Sequence, residues 1–285
     1  MVVPFQNRTD VALDHWGMTP DTFRTVYSAS MADFEANPER RFDAVFCDVD
    51  GCLMPEDQDG ADLEALQQVT DYNAAAERDG DRPVIVPCTG RPQPYAEAVC
   101  RMLGCKALPA ICEHGVWTYD FAKHRWTMDP TITNEDLRAV REMEAWVRKE
   151  LGPKGCFMQL GRSAAVTIFH DDVEWLAAEV VPVLERLIEA KRWPMRVSMT
   201  WTCINVDLEH VSKGRAIERL IAQFGLDRAR LAGIGDTMSD LAIHDSVAWF
   251  GCPMNADEKL KPHADVVAAK PMARGVVELL EHLVR

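Results

Sequence analysis

Residues Phe42 to Met54 read FDAVFCDVDGCLM, and the rest of the chain can be arranged around this stretch. Its first six residues form a short apolar run whose length and composition predict a buried strand. Two carboxylates, Asp48 and Asp50, follow at once, and Gly51 comes next. Ligands of open α/β sheets bind outside the carboxyl ends of the strands, so the aspartates lie where a site is expected.

The aspartate pair has two interpretations. Asp-x-Asp-Gly is ordinary turn chemistry. Carboxylates this close also repel each other, so one tends to keep its proton unless a cation intervenes. That repulsion favours a division of labour in which Asp48 is an ionised nucleophile and Asp50 carries a proton for a leaving group.

Residues 48–53 resemble the first motif of the haloacid dehalogenase-like phosphohydrolases, in which Thr commonly stands where this chain has Cys52. Thr89-Gly90-Arg91, at the end of a second apolar run, resembles the second motif. The resemblance implies that the Thr89 hydroxyl and the Gly90 amide bind the transferring phosphate. Arg91 is open between binding substrate and bracing the loop.

The third motif of the family is resembled by residues 211–214, Val-Ser-Lys-Gly, at the start of a predicted helix capped by Ser212. A lysine in the first helical turn opposes the helix dipole at a cost of roughly 0.3–1 kcal/mol. This position suits Lys213 if its ammonium group reaches an anion. A lysine tolerated on an exposed surface is the alternative.

Residues 235–240, Gly-Asp-Thr-Met-Ser-Asp, follow another short strand and resemble the fourth motif, with Ser239 where Asn is common. Carboxylates with backbone oxygen and water suit octahedral Mg²⁺. The resemblance implies a Mg²⁺ site formed by Asp48, the Asp50 carbonyl and Asp236, with Asp240 as a direct ligand or behind the ligands. A helix-capping acid is the alternative role of Asp240.

Residues 113–115, Glu-His-Gly, end a third predicted strand, where large-cap members of the family often have Glu-Asn-Gly. His114 therefore departs from the pattern, and it is open between a substrate contact and a structural turn residue. Three polar or aromatic residues further on, Arg162, His170 and Trp201, are candidates for substrate choice, although each is also explained by surface or packing roles.

The predicted fold is α/β, with a Rossmann-like core around a parallel sheet and an inserted α+β cap domain. We assign residues 1–41 to an N-terminal helical extension, which either packs on the main domain or forms a partner or dimer contact. Residues 42–116 and 208–285 form the catalytic core. The cap, residues 117–207, carries strands with two intervening helices, a pattern typical of an α+β layer.

Composition excludes several classes of function. The 285 residues carry a net charge of −14, which argues against a general nucleic-acid binder. None of the nine cysteines forms a Cys-x-x-Cys pair, which favours a reduced, cytoplasmic setting over a disulfide framework. Neither an export signal nor a membrane-spanning apolar run is recognised in the sequence.

Taken together, the motifs predict a Mg²⁺-dependent phosphatase that acts on a small phosphorylated metabolite through an aspartyl-phosphate. The large cap resembles those of sucrose-phosphate, trehalose-phosphate and mannosyl-phosphoglycerate phosphatases, so a sugar phosphate or glycerate conjugate is the expected substrate. Two alternatives stay open: a phosphotransferase of the phosphomannomutase type, and a non-catalytic module that binds phosphoesters. A homodimer is also left open.

Overall fold

The computed structural model of the protein describes residues 37–56 and 59–284. Most of the predicted N-terminal extension, and Asp57 of the acidic run after the first motif, lie outside the described residues. Within these residues, no helix combines the length and the apolar character that a membrane span requires.

A five-stranded parallel sheet forms the centre of the core. Its strands are β1 (Ala44–Cys47), β2 (Val84–Pro87), β10 (Leu231–Ile234), β11 (Trp249–Cys252) and β12 (Val266–Val267). They are arranged in the order β12-β11-β10-β1-β2. Strand β1 is apolar and fully buried, as its sequence predicts, and β2 and β10 pair with it on either side.

Helices cover both faces of this sheet, because alternate side chains of each buried strand point to opposite faces. One apolar cluster joins a face of the sheet to α1 (Leu63–Asp79), α2 (Gln93–Leu103) and α8 (Met272–Val284). A second cluster joins the other face to α6 (Lys213–Phe224) and α7 (Leu241–His244). The layering is that of a doubly wound α/β fold.

A hairpin follows the third predicted strand and extends from the core. Strand β3 (Ala110–Cys112) pairs antiparallel with β4 (Trp117–Asp120), which pairs with β5 (Arg125–Met128). Tyr119 of this hairpin is buried in the apolar cluster that contains α1 and α2. The domain boundary at residue 117 stays a prediction. Residues 117–128, which it assigns to the cap, form the hairpin whose Tyr119 packs against the core.

The inserted segment forms a separate α+β layer with its own apolar cluster. Its elements are α3 (Asn134–Glu150), β6 (Phe157–Met158), β7 (Ala165–Phe169), α4 (Val173–Trp175), α5 (Val181–Lys191), β8 (Met195–Met199) and β9 (Cys203–Leu208). The sheet is antiparallel in the order β6-β7-β9-β8. The one-turn helix α4 is joined to α5 through a π-helical turn, Leu176–Val180, which the sequence did not indicate.

The predicted fold class is therefore confirmed: a parallel α/β core carries an inserted α+β layer. Strand β1 lies within the predicted apolar run, and the helix capped by Ser212 begins where the sequence predicts. The carboxyl ends of β1, β2 and β10 meet at one edge of the sheet, where the first, second and fourth sequence motifs begin.

Candidate active site

Asp48 is the first residue after β1 and lies between the two neighbouring strand ends. Its backbone N–H donates to the Ile234 carbonyl at 2.9 Å, and its Oδ1 accepts from the Val49 N–H at 2.7 Å. The side chain is buried. The strand pairing thus fixes the carboxylate at the switch point of the sheet, where a ligand of this fold class binds.

Lys213 brings a positive charge to this carboxylate. Its ammonium Nζ lies 2.9 Å from Asp48 Oδ2 and donates to Asp240 Oδ1 at 2.7 Å. Ser212 caps the helix by accepting from the Arg215 N–H, as predicted. The lysine side chain is only 2% exposed, so the interpretation as a tolerated surface lysine is wrong.

Three carboxylates converge on one point of the site. Oxygen atoms of Asp48, Asp236 and Asp240 lie within 4.8 Å of one another, and all three residues are buried. Burial, followed by repulsion from Asp240, raises the pKa of Asp48 to about 8. Burial and repulsion from Asp240 and Asp48 raise the pKa of Asp236 to about 9. Such a cluster favours a bound cation over three free anions.

Asp240 differs from Asp48 and Asp236 because both of its carboxylate oxygens accept hydrogen bonds from within the site. Oδ1 accepts from Lys213, and Oδ2 accepts from the backbone N–H groups of Asp236 and Thr237 at 3.0 Å each. Asp240 therefore positions Lys213 and the Asp236 loop, which favours the role behind the metal ligands. Ser239, which replaces the common Asn, hydrogen-bonds Thr237 through its hydroxyl at 2.8 Å.

Gly51 allows the first motif to approach the fourth. Its φ is +75°, and a Cβ there would lie 2.0 Å from Asp236 Oδ2. Only glycine accepts both constraints without strain. The Asn255 side chain donates to the Gly51 carbonyl at 2.8 Å, so the turn that follows β11 also supports this loop. Cys52 places its Sγ 3.9 Å from Asp236 Oδ1.

Asp50 is held by Arg91 rather than by the acidic cluster. Arg91 Nη2 donates to Asp50 Oδ1 at 2.7 Å, and its Nε contacts both carboxylate oxygens at 2.9 and 3.0 Å. The pair is partly exposed, with Asp50 at 19%. Of the two roles open to Arg91, this geometry favours bracing: the guanidinium fixes the carboxylate at the pocket wall.

Thr89 and Gly90 line the same edge beside His114. Thr89 is fully buried, and its Oγ1 accepts from the Arg91 N–H at 3.0 Å. A Cβ on Gly90 would lie 2.4 Å from His114 Nε2, so the imidazole packs directly over the glycine. His114 adopts a left-handed φ of 54°, which Asn tolerates better than most residues. Burial lowers the pKa of His114 to about 4, so the ring is neutral near pH 7.

Two adjoining spaces open between the core and the inserted layer. A larger cleft of about 710 Å³ is lined by residues that include Lys213, Trp201, Arg196 and Lys259. A smaller pocket of about 70 Å³ lies directly over the carboxylates. Its lining includes Asp48, Asp50, Glu56, Gly90, Arg91, Gln159, Arg162, Cys203, Asn205 and Lys213.

Sequence reasoning missed Gln159 and Asn205, and it named Arg162 without assigning it to a site. A signal existed for Asn205: it alternates with Asp207 along the otherwise apolar β9, so both point to one face of the sheet. Glu56 contacts the cap through Thr202 Oγ1 at 3.3 Å. That contact joins residues 146 positions apart, and no local pattern indicates it.

The arrangement combines a buried carboxylate, an ammonium group beside it and a second carboxylate held at the pocket wall by an arginine. It suits attack on an anionic centre whose charge needs neutralising. The predicted site residues Asp48, Asp50, Thr89, Gly90, Lys213, Asp236 and Asp240 all lie at this one edge of the sheet.

Known proteins resemble the chain at several levels. A phosphoglycolate phosphatase of Archaeoglobus fulgidus is 43% identical over 74 residues, which are 26% of this chain and only 33% of that protein. A phosphoglycolate phosphatase of Halobacterium salinarum is 24% identical over 243 residues, covering 83% of this chain and 95% of that protein.

A solved haloacid dehalogenase-like hydrolase from Bacteroides thetaiotaomicron shares the fold with a TM-score of 0.67 and 15% identity, over 85% of this chain and 99% of that one. The family model of the haloacid dehalogenase-like hydrolases matches residues 173–280. The chain is therefore similar to the haloacid dehalogenase-like hydrolases over residues 173–280 in sequence and over most of its length in fold, in line with the four motifs at one sheet edge.

Proposed function

We propose that this protein is a Mg²⁺-dependent phosphatase that hydrolyses a small phosphomonoester through an aspartyl-phosphate. The observation that carries the proposal is the contact of Lys213 Nζ with Asp48 at 2.9 Å, beside the Asp236 carboxylate and beneath the inserted layer. The names of the relatives, two of them phosphoglycolate phosphatases, support the same reaction class.

The donor set fits Mg²⁺. Hard carboxylate oxygens are the ligands this ion prefers, and Asp48 and Asp236 supply them within one buried cluster. Burial and mutual repulsion raise the pKa values of both carboxyls, and a bound cation would offset both effects. Asp48, Asp236 and the Asp50 carbonyl would hold the ion, with Asp240 behind them. When bound, Mg²⁺ supplies charge that ionises Asp48 and neutralises the phosphoryl oxygens.

The reaction then divides between the two aspartates. An Asp48 carboxylate oxygen attacks phosphorus, the bond from phosphorus to the ester oxygen breaks, and Asp50 gives its proton to the departing alcohol. Water next attacks the aspartyl-phosphate while Asp50 accepts its proton, which releases inorganic phosphate and regenerates Asp48. Lys213, the Thr89 hydroxyl and the Gly90 amide neutralise and orient the phosphoryl group.

The sizes of the two spaces bear on the size of the substrate. The space over the carboxylates is small, about 70 Å³, which supports a small leaving group, while the adjoining cleft leaves room for a sugar.

All nine cysteines are buried free thiols. They support a reducing, cytoplasmic location as part of the proposal.

The test is phosphate release from a panel of phosphoglycolate, phosphoglycerates, sugar phosphates, nucleotides and p-nitrophenyl phosphate, each with Mg²⁺ and with chelator. We expect metal-dependent release from at least one small ester. A second arm adds a sugar acceptor, because transfer to the acceptor in place of free phosphate would identify a phosphotransferase. Mg²⁺ binding without release from any ester would contradict the proposal.

Replacement of Arg91 tests the role of Asp50 as the acid. Without the guanidinium, the Asp50 carboxylate loses three contacts that hold it at the pocket wall. We expect Arg91→Ala to lower kcat/KM about 10- to 100-fold for an alkyl phosphate, because this parameter reports the step in which the alcohol leaves and misplacing a catalytic group costs this much. The loss should be much smaller for p-nitrophenyl phosphate, whose leaving group needs no proton.

Arg101→Ala is the matched control, since Arg101 is an exposed arginine paired with Glu97 outside the site. Equal losses of kcat/KM with both esters in Arg91→Ala would mean that the guanidinium acts on the phosphoryl group and does not position the acid.

A further inference from the structure

Among the described residues, the pocket over the carboxylates is lined by three cations, and two of them are already paired. Lys213 contacts Asp48 and Asp240, and Arg91 contacts Asp50. The third cation is Arg162, which comes from the loop between β6 and β7 of the inserted layer. Of these three cations, Arg162 alone makes no direct ion pair with a carboxylate of the described residues, so its guanidinium is the one open to a ligand.

Arg162 is only partly satisfied. Its Nε donates to the Gln159 side chain at 3.0 Å, whereas its Nη1 is buried and has no hydrogen-bond partner among residues 37–56 and 59–284. Asp207 and Glu113 act on it electrostatically, but no ion pair of Arg162 with a carboxylate is found in the described part of the chain. A buried guanidinium donor without an acceptor is costly unless a ligand supplies one.

The backbone beside Arg162 is fastened to the core. The buried Glu113 carboxylate accepts from the Ser163 N–H at 2.9 Å, the Ser163 hydroxyl at 3.1 Å and the Ala164 N–H at 3.4 Å. Trp117 Nε1 also donates to the Ser163 hydroxyl at 3.1 Å. These contacts hold the loop over the active site, so Arg162 is a pre-positioned group rather than a mobile surface side chain.

We propose that Arg162 binds a carboxylate on the leaving group, so that the preferred substrate is a small phosphorylated hydroxy acid. The inference rests on the proposed phosphatase function and deepens it. The phosphoryl group already has Lys213, Thr89 and Gly90, so the guanidinium is left for the other end of the substrate. A guanidinium matches a planar carboxylate through two parallel hydrogen bonds, which a neutral sugar hydroxyl cannot reproduce.

The small space between Arg162 and the aspartates favours a short hydroxy acid over a phosphorylated sugar. Gln159 orients the guanidinium plane through its Oε1, and it lines the same pocket. Three groups that sequence reasoning left unassigned, Gln159, Arg162 and Glu113, then act together: the first two form the carboxylate subsite, and Glu113 positions its loop.

The test compares two esters that differ only at the proposed contact, 2-phosphoglycolate and 2-hydroxyethyl phosphate, in which a CH₂OH group replaces the carboxylate. We expect the wild-type protein to favour phosphoglycolate. Arg162→Ala should lower kcat/KM for phosphoglycolate about 10- to 100-fold, the value of a hydrogen bond to a charged group. The loss should appear mainly in KM, and Arg162→Lys should recover only part of it.

A binding measurement separates this inference from the proposed function. Calorimetry of the two esters with Asp48→Asn protein, which cannot turn them over, should show preference for phosphoglycolate that the added Arg162→Ala change removes. Arg186→Ala, an exposed arginine of α5, is the matched control and should change neither measurement. Absence of turnover with an intact binding preference would reject the phosphatase proposal and keep the subsite. Equal affinity for both esters, or equal losses with both in Arg162→Ala, would overturn the subsite.

Discussion

Asp48→Asn is expected to reduce phosphate release by a factor on the order of 10⁴ or more, because removal of a covalent nucleophile eliminates the reaction path. The amide cannot form an acyl-phosphate. Lys213 keeps its contact with Asp240 at 2.7 Å, and one repelling carboxylate is removed from the buried cluster. We therefore expect the melting temperature to change little. Phosphate release and thermal unfolding, measured on the same preparation, test both expectations.

Asp71→Asn, on the exposed face of α1, is the control and should retain full activity. Acid-quenched wild-type protein should carry a phosphoryl group on the peptide that contains Asp48, and the Asp48→Asn protein should carry none there. Residual turnover above about 1% of the wild-type rate would reject Asp48 as the nucleophile, since the background left without a nucleophile is far smaller.

Removal of Mg²⁺ is expected to abolish turnover and also to lower stability in a pH-dependent way. In the metal-free protein the pKa values of Asp48 and Asp236, about 8 and about 9, exceed the value of about 3.9 in an unfolded chain. The folded state therefore binds these protons more tightly than the unfolded state. The contribution of both groups to the free energy of unfolding is complete below about pH 4 and is lost as the pH rises toward 9.

Mg²⁺ competes with these protons, so its stabilising effect should grow with pH. The measurement is the rise in melting temperature on adding Mg²⁺ at about pH 6 and at about pH 8.5, and we expect the larger rise at the higher value. Because each pair is compared at one pH, titration of other groups cancels. Asp236→Asn should remove most of the rise. An equal rise at both pH values would contradict a Mg²⁺ site made from these carboxylates.

The core was predictable because its evidence is local. Three of the four motifs closely follow a strand of the parallel sheet, as Asp48 follows β1 and Asp236 follows β10, and parallel strands bring their carboxyl ends together. The helix-capping signal was also local, since Ser212 begins α6 as predicted. Short segments of sequence were therefore enough to predict which residues of the core form the site.

The contacts that complete the pocket were not predictable, because they join distant segments. Glu113 accepts hydrogen bonds from residues 50 and 51 positions away, and nothing near either partner indicates the other. The antiparallel pairing of β3 with β4 was not indicated by the sequence either. Likewise, no sequence pattern distinguishes Arg162, which faces the pocket, from the exposed Arg186 on the same layer.

The central position of β1 has a consequence for how the chain folds. Asp43, just before β1, is bridged by Arg230, which lies 187 positions away and precedes the partner strand β10. The inserted layer lies entirely within that interval and has its own apolar cluster. Closing so long a loop is entropically costly and slows folding, whereas the strands of the insert pair over much shorter distances. We expect the insert to acquire its structure first and β10 to join β1 late, so the active-site edge is among the last parts of the molecule to form.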